Sequence, residues 1–320
     1  MMYGLLRWLT GIALHWFYSS IRTTGKELIP AEGPVLLAAS HHNALVDALI
    51  AVWVAPRPLT LTAKATLMDN AILAWLMSLV GVVPLRRAAD EQKKHSGSVD
   101  ASRNAGAFES LLSVLDRGGM ILIFPEGKSH SEPALAPLKT GVSRIALEAR
   151  DKRGISGLQI IPLGVNFEDK GNPGTAVLAA VGAPLKLDEL GPISVDDLTS
   201  RISERLAAVS LKKPAPSSDR DTIKRRGGVH FLASPFAAWG ELTHRYIINI
   251  ARDLAMSRSR NPDDPAMLTI VFSLVLILLS YLVQFTILAL LVGPLVATIF
   301  IATLPVSAYW AAFKAHPRSS

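Results

Sequence analysis

Between about residues 25 and 210, short apolar runs alternate with longer amphipathic ones. The runs Val35–Ala39, Leu59–Ala63, Val82–Leu85, Met120–Phe124, Leu158–Val165 and Ala179–Leu185 have strand length, and several are rich in Val and Ile. The segments 44–55, 69–80, 98–117, 138–150 and 194–209 between them read as helices. In 98–117, Phe108, Leu111, Leu112 and Leu115 share one side, Arg103, Glu109 and Asp116 lie elsewhere, and Gly118-Gly119 is a helix stop. This alternation predicts an α/β domain with a mixed central sheet flanked by helices.

The pattern then changes twice. Lys212-Lys213-Pro214-Ala215-Pro216-Ser217-Ser218 has no apolar period and reads as a linker. From Ala266 to Phe313 the chain carries no Asp, Glu, Lys, Arg or His. One bilayer span needs about 20 residues, so the run holds two, with Gly293-Pro294 as the turn. Helices over 268–291 and 295–313 are expected as a transmembrane hairpin; a very apolar core hairpin is the alternative. Arg252, Arg258 and Arg260 before it and Lys314 and Arg318 after it place both ends on the cytoplasmic side. The expected layout is an N-terminal helical segment over 1–24, the α/β domain over 25–210, a basic connector over 211–265, two transmembrane helices over 266–313 and a cytoplasmic tail over 314–320. The first segment, with Trp8, Trp16, Phe17 and Arg7, fits a helix lying in a membrane interface or one packed on the domain. The connector carries Lys224-Arg225-Arg226 and fits either a lipid-facing amphipathic helix or an ordinary helical subdomain.

Composition sharpens this picture. Hydrophobic residues make up 50% of the 320 and charged residues 18%, against roughly 25% charged in an average domain, which excludes a disordered chain. The absence of cysteine removes disulfide scaffolds, catalytic thiols and thiolate metal sites. A net charge of +7 favours an anionic partner, either lipid headgroups or a phosphorylated substrate. No zinc-finger spacing or aromatic-interleaved basic stripe accompanies that charge, so nucleic acid is not an expected partner.

Three polar stretches follow strands, where open α/β sheets bind ligands. The first is Ser40-His41-His42-Asn43-Ala44-Leu45-Val46-Asp47. With four residues between His42 and Asp47, a carboxylate one turn into the helix can orient the ring of His42 and leave its other nitrogen basic. Metal binding by His41, His42 and Asp47, or a structural polar cap, would use the same residues. The second stretch is Gly81 to Arg87, whose two arginines make either an anion clamp or a solvated edge. The third is Phe124-Pro125-Glu126-Gly127-Lys128-Ser129-His130, where Gly127 permits close backbone approach and Glu126 can orient hydroxyls. Lys139 follows downstream with another cation.

Taken in order, these stretches resemble the glycerolipid acyltransferases, which include glycerol-3-phosphate and lysophosphatidate acyltransferases. The resemblance covers roughly residues 25 to 210. It rests on His42 and Asp47, on Gly81 to Arg87, on Phe124 to Gly127, and on the proline-bearing strand Ile160-Ile161-Pro162-Leu163-Gly164. It implies O-acyl transfer from acyl-CoA or acyl carrier protein to the hydroxyl of a phosphorylated glycerol or lysophospholipid, at a phospholipid membrane. Catalysis would lie with His42 as general base and Asp47 as its orienter. Glu126 and Gly127 would seat the glycerol part, and Arg87, with Lys128 and Lys139, the phosphate. No metal, cofactor or covalent enzyme intermediate is called for. His41 is expected to contribute little, being one residue too far from Asp47 for the signature. Ser129 stands where many lysophosphatidate acyltransferases carry an arginine, and the run to Gly141 looks more like the branch containing fungal-type glycerol-3-phosphate and dihydroxyacetone-phosphate acyltransferases. Acylation of glycerol-3-phosphate or dihydroxyacetone phosphate is therefore slightly preferred over lysophosphatidate. A catalytically weak lipid-binding protein, or transfer to an unphosphorylated acceptor such as an aminolipid, remains a rival.

Overall fold

Val35–Ala39 (β2) buries all five of its residues, as an unbroken apolar run must when helices cover both faces of its sheet. In the computed structural model, which describes residues 2–65, 81–85, 105–130, 132, 134–170, 175–210, 212, 214, 230–259 and 264–314, β2 lies near the middle of an eight-stranded sheet. The other strands are β1 (Ser20–Thr24), β3 (Leu59–Lys64), β4 (Val83–Leu85), β5 (Met120–Ile123), β6 (Gln159–Phe167), β7 (Ala176–Val181) and β8 (Leu185–Lys186). Their order is β1-β7-β6-β2-β5-β3-β4, with β8 also on β6. The pairs are parallel except β6 with β7 and β6 with β8, so the sheet is mixed, as the alternating pattern predicts.

Side chains alternate between two cores, as a period of two requires. Val35, Leu37 and Ala39 face one layer with α1 (Met2–Phe17) and α2 (Ala44–Val54). Leu36 and Ala38 face the other, with α3 (Ala105–Asp116), α4 (Gly141–Leu147) and α5 (Val195–Ser210). The expected stop of α3 is built as two bonds, from Gly118 N–H to Leu115 C=O and from Gly119 N–H to Val114 C=O, with Gly118 at φ 70°; a left-handed residue at that point favours glycine. Pro162 sits inside β6 without breaking it. Its carbonyl accepts from Gly182, and since N–H and C=O of one extended residue point the same way, the missing N–H faces the gap between β8 and β7.

One boundary differs from the expected layout. Ser20–Thr24, placed by the sequence in the N-terminal segment, is a strand pairing in parallel with β7; Ile21 is its one aliphatic residue, so hydrophobic patterning gave it no weight. The connector contains a 29-residue helix, α6 (His230–Arg258), while its basic Lys224-Arg225-Arg226 lies outside the described residues. The helix expected over 69–80 also lies outside them, as does the start of 98–117.

The C-terminal part is helical as read. α7 (Asp264–Val292) and α8 (Pro294–Lys314) meet at Gly293, whose φ of 94° favours glycine. Among the described residues α7 is the one helix long and apolar enough to cross a membrane, with a mean hydropathy of 2.6 over Leu268–Val292 and none of its most apolar stretch buried. α6, α7 and α8 pack on one another, and α1 and α2 lie against them. Small residues set the closest approach: a Cβ on Gly240 of α6 would stand 2.1 Å from the Ser307 carbonyl of α8. α1 is packed too, with Gly11 against the Trp53 ring and Arg7 donating to the Trp53 carbonyl at the end of α2, while Trp8 and Leu9 stay exposed.

Candidate active site

The carboxyl ends of the adjacent parallel strands β2 and β5 deliver two turns to one place. Ser40 continues β2: its N–H donates to Leu163 C=O, and its hydroxyl accepts from Val165 N–H at 2.9 Å. The chain then bends through His41, His42 and Asn43 into α2, with Ala44 in the left-handed region at φ 43°. For a residue with a Cβ this conformation costs roughly 1–2 kcal/mol. The surrounding hydrogen bonds hold it there.

Those bonds decide which histidine meets Asp47. His41 Nδ1 lies 3.0 Å from Asp47 Oδ2, and the same oxygen accepts from Asn43 N–H at 2.7 Å. His42, expected to make this contact, does not make it; five residues rather than four separate the paired histidine from Asp47, the extra one absorbed by the turn at Ala44. With Nδ1–H donated to the carboxylate, His41 Nε2 carries the lone pair. Among the described residues it has no hydrogen-bond partner. The ring is held flat on Phe124, centroids 4.0 Å apart.

His42 has a different environment. Among the described residues neither ring nitrogen has a hydrogen-bond partner, and both are buried. Its ring packs edge-on to His130, while its carbonyl accepts from Lys170 Nζ at 2.9 Å. Burial lowers its pKa below the ordinary 6.5; Asp47 and Glu126 oppose the shift, while His130 and Lys170 add to it.

Glu126, 2% exposed, has both oxygens engaged inside the protein. Oε1 accepts from His41 N–H at 2.7 Å, and Oε2 from Ala136 N–H at 2.9 Å and from the His130 ring. The carboxylate expected to seat glycerol thus also holds two loops together. Gly127, at φ 76°, and Lys139 lie side by side, the Lys139 stem covering the glycine and its N–H donating to Pro125 C=O at 2.7 Å. Lys128 and Lys139 are exposed on this loop. Arg87 lies outside the described residues. Among the described residues no group of three or more His, Asp or Glu side chains is arranged to hold a metal ion.

Sequence reasoning missed a further ring of support. Asn43 Nδ2 donates to Tyr18 Oη and to Lys170 C=O, each at 3.0 Å, so α1, the turn and the loop after β6 are tied together. His130 was also missed as a participant, although its spacing of four from Glu126 in one loop was visible.

Residues 20–166 match the acyltransferase family. The matched segment makes up a little under half of the chain. The match spans β1 to β6 and includes every residue of the His41–Asp47–Glu126 cluster. Among similar curated proteins, an uncharacterised acyltransferase of Schizosaccharomyces pombe is 21% identical, over 58% of this chain and 39% of its own. Glycerol-3-phosphate O-acyltransferase 2 of Saccharomyces cerevisiae is 28% identical, over 54% of this chain and 23% of its own. A 1-acyl-sn-glycerol-3-phosphate acyltransferase of Borreliella burgdorferi is 26% identical, over 62% and 72%. The chain thus spans well under half the length of the first two relatives.

Proposed function

We propose that the chain is a membrane-bound O-acyltransferase that moves a fatty acyl group from acyl-CoA or acyl carrier protein to the hydroxyl of a phosphorylated glycerol, with glycerol-3-phosphate or dihydroxyacetone phosphate preferred over lysophosphatidate. The observation that carries this reading is the Asp47–His41 pair, standing at the ends of β2 and β5 in a domain of the acyltransferase family. His41, rather than His42, is the base. Its Nε2 takes the proton of the acceptor hydroxyl as that oxygen attacks the thioester carbonyl. Asp47 holds the tautomer and stabilises the imidazolium. The tetrahedral oxyanion then collapses, the C–S bond breaks, and the thiolate takes the proton back from His41, leaving an ester and a free thiol. Arg87, with Lys128 and Lys139, is assigned the acceptor phosphate, for which guanidinium and ammonium groups supply charge-assisted donors. Ser129 in place of arginine and the likeness to a glycerol-3-phosphate acyltransferase support the acceptor choice.

The membrane reading rests on α7. Its exposed apolar length, together with α8, crosses and returns, leaving both ends and the catalytic domain on the cytoplasmic face. An acyl chain releases about 0.8 kcal/mol per CH₂ buried, so donor and product reside in lipid and the enzyme works at that surface.

The test uses purified full-length protein in detergent with labelled acyl-CoA and each acceptor offered separately, alongside Arg87→Ala. Transfer should require a phosphorylated acceptor, be faster to glycerol-3-phosphate or dihydroxyacetone phosphate than to lysophosphatidate, and show a raised KM for the acceptor in the variant. Faster transfer to lysophosphatidate would reverse the acceptor order. Equal rates on a dephosphorylated acceptor, unchanged in Arg87→Ala, would remove the phosphate assignment.

A further inference from the structure

The loop after β5 touches His41 on both sides of its backbone. Glu126 Oε1 accepts the His41 N–H at 2.7 Å, and His130 N–H donates to the His41 C=O at 3.1 Å. A residue held at both its N–H and its C=O has little freedom to move its ring. Hence the position of His41 Nε2 depends on where Glu126 sits. A buried carboxylate keeps one orientation only while both its oxygens have donors. Oε1 has the His41 N–H; Oε2 has the Ala136 N–H and the His130 ring. Of these three donors, only the His130 ring belongs to a side chain, so it is the part of the clamp that substitution can remove without altering the backbone.

We propose that His130 is a positioning residue: through Glu126 it fixes the backbone of His41 and so the place from which Nε2 meets the acceptor hydroxyl. The inference rests on the reading of His41 as the base. It assigns His130 no contact with substrate. Misplacement of a reacting group by about 1 Å costs on the order of 100-fold in rate, whereas substrate affinity is set elsewhere.

The experiment compares His130→Ala, His130→Gln, His130→Asn, Glu126→Gln and the double variant His130→Ala/Glu126→Gln in the full-length enzyme. His130→Ala should lower kcat about 10- to 100-fold, with KM for donor and acceptor within about twofold of the parent. His130→Gln, whose amide N–H can reach Glu126, should recover most of that loss, and the shorter Asn should not. The double variant should be no worse than the weaker single variant by more than about twofold, because both act through one contact. A folded His130→Ala within about threefold of parental kcat overturns the proposal, as does a change confined to KM or multiplicative loss in the double variant. Should His130→Ala not fold, the Gln and Asn variants decide: equal kcat in both overturns it. His41→Ala run in parallel separates the two readings. Activity in that variant refutes the base itself, and inactivity there with an unaffected His130→Ala refutes the positioning role alone.

Discussion

Ser40, His41, His42 and Asn43 in one short turn and Asp47 in the first turn of α2 are all polar and all buried, whereas Leu274, Leu278, Leu282, Leu290 and Leu291 of α7, all apolar, stand exposed. In the turn, Ser40, His41 and Asn43 are held by directional bonds between 2.7 and 3.1 Å. In the helical bundle, contact comes from shape. Gly240 lets α6 approach the Ser307 backbone, and Ala251, Ala255, Ala297 and Leu304 are fully buried. Even there one polar bond appears, His244 Nε2 accepting from Tyr281 Oη at 2.6 Å across α6 and α7. The contrast separates precision from tolerance. Reacting groups must be held to a fraction of an ångström, and directional bonds do that; a surface that meets lipid needs only to be apolar and of the right length.

The largest effect expected breaks the two histidines apart. His41→Ala should lower kcat by about 10²–10⁴-fold, the usual worth of a general base, while His42→Phe should lose less than about tenfold; steady-state kinetics on both variants check this. Equal losses would make the pair act together and end the assignment of the base to His41 alone.

A smaller effect falls on the bundle. Gly240→Val places atoms where the α8 backbone already stands, an overpacking that typically costs about 1–3 kcal/mol. Thermal unfolding in detergent should show a lowered midpoint, with kcat per folded molecule nearly unchanged because the site is built from β2, β5 and α2.

The smallest effect concerns acid. The folded pKa of His42 is depressed, chiefly by burial, so between the two pKa values the unfolded chain binds more protons than the native one. The stability held above the ordinary value of 6.5 is then lost as pH falls toward the folded pKa. His42→Phe removes a buried ring whose two nitrogens have no hydrogen-bond partner among the described residues, a change worth about 1 kcal/mol or less at neutral pH. Its thermal midpoint should fall less than the parent's between about pH 7.5 and pH 5.5. A parallel decline in both proteins would assign the acid sensitivity to other groups.

Much of this architecture was legible in the sequence, for definite reasons. β2, β5 and β6 are apolar runs bounded by turn residues, and α7 and α8 are divided by Gly293-Pro294; both signals are local. β1 was not legible, because Ser20–Thr24 owes its strand to pairing with β7 across more than 150 residues of chain. The site was legible in its residue types and its loops, but not in its pairing. Counting four residues from His42 to Asp47 assumes that α2 starts cleanly after the histidine, and an alanine in the left-handed region gives no sign of itself in the sequence. Likewise Glu126 reads as a free ligand group until the fold brings His41, His130 and Ala136 around it.

The left-handed Ala44 has a consequence for how such chains are recognised. It works as a slack link: by folding one extra residue into the turn, it keeps an imidazole and a carboxylate in register although the interval between them has lengthened. A search keyed to a fixed interval would find the neighbouring His42 and accept it, because this chain happens to carry a histidine at both places. In a chain with a single histidine at the earlier place, the same search would discard the contact altogether. The invariant is the meeting of the two side chains in space, and the count of residues between them can slip by one wherever a small residue can take up the turn.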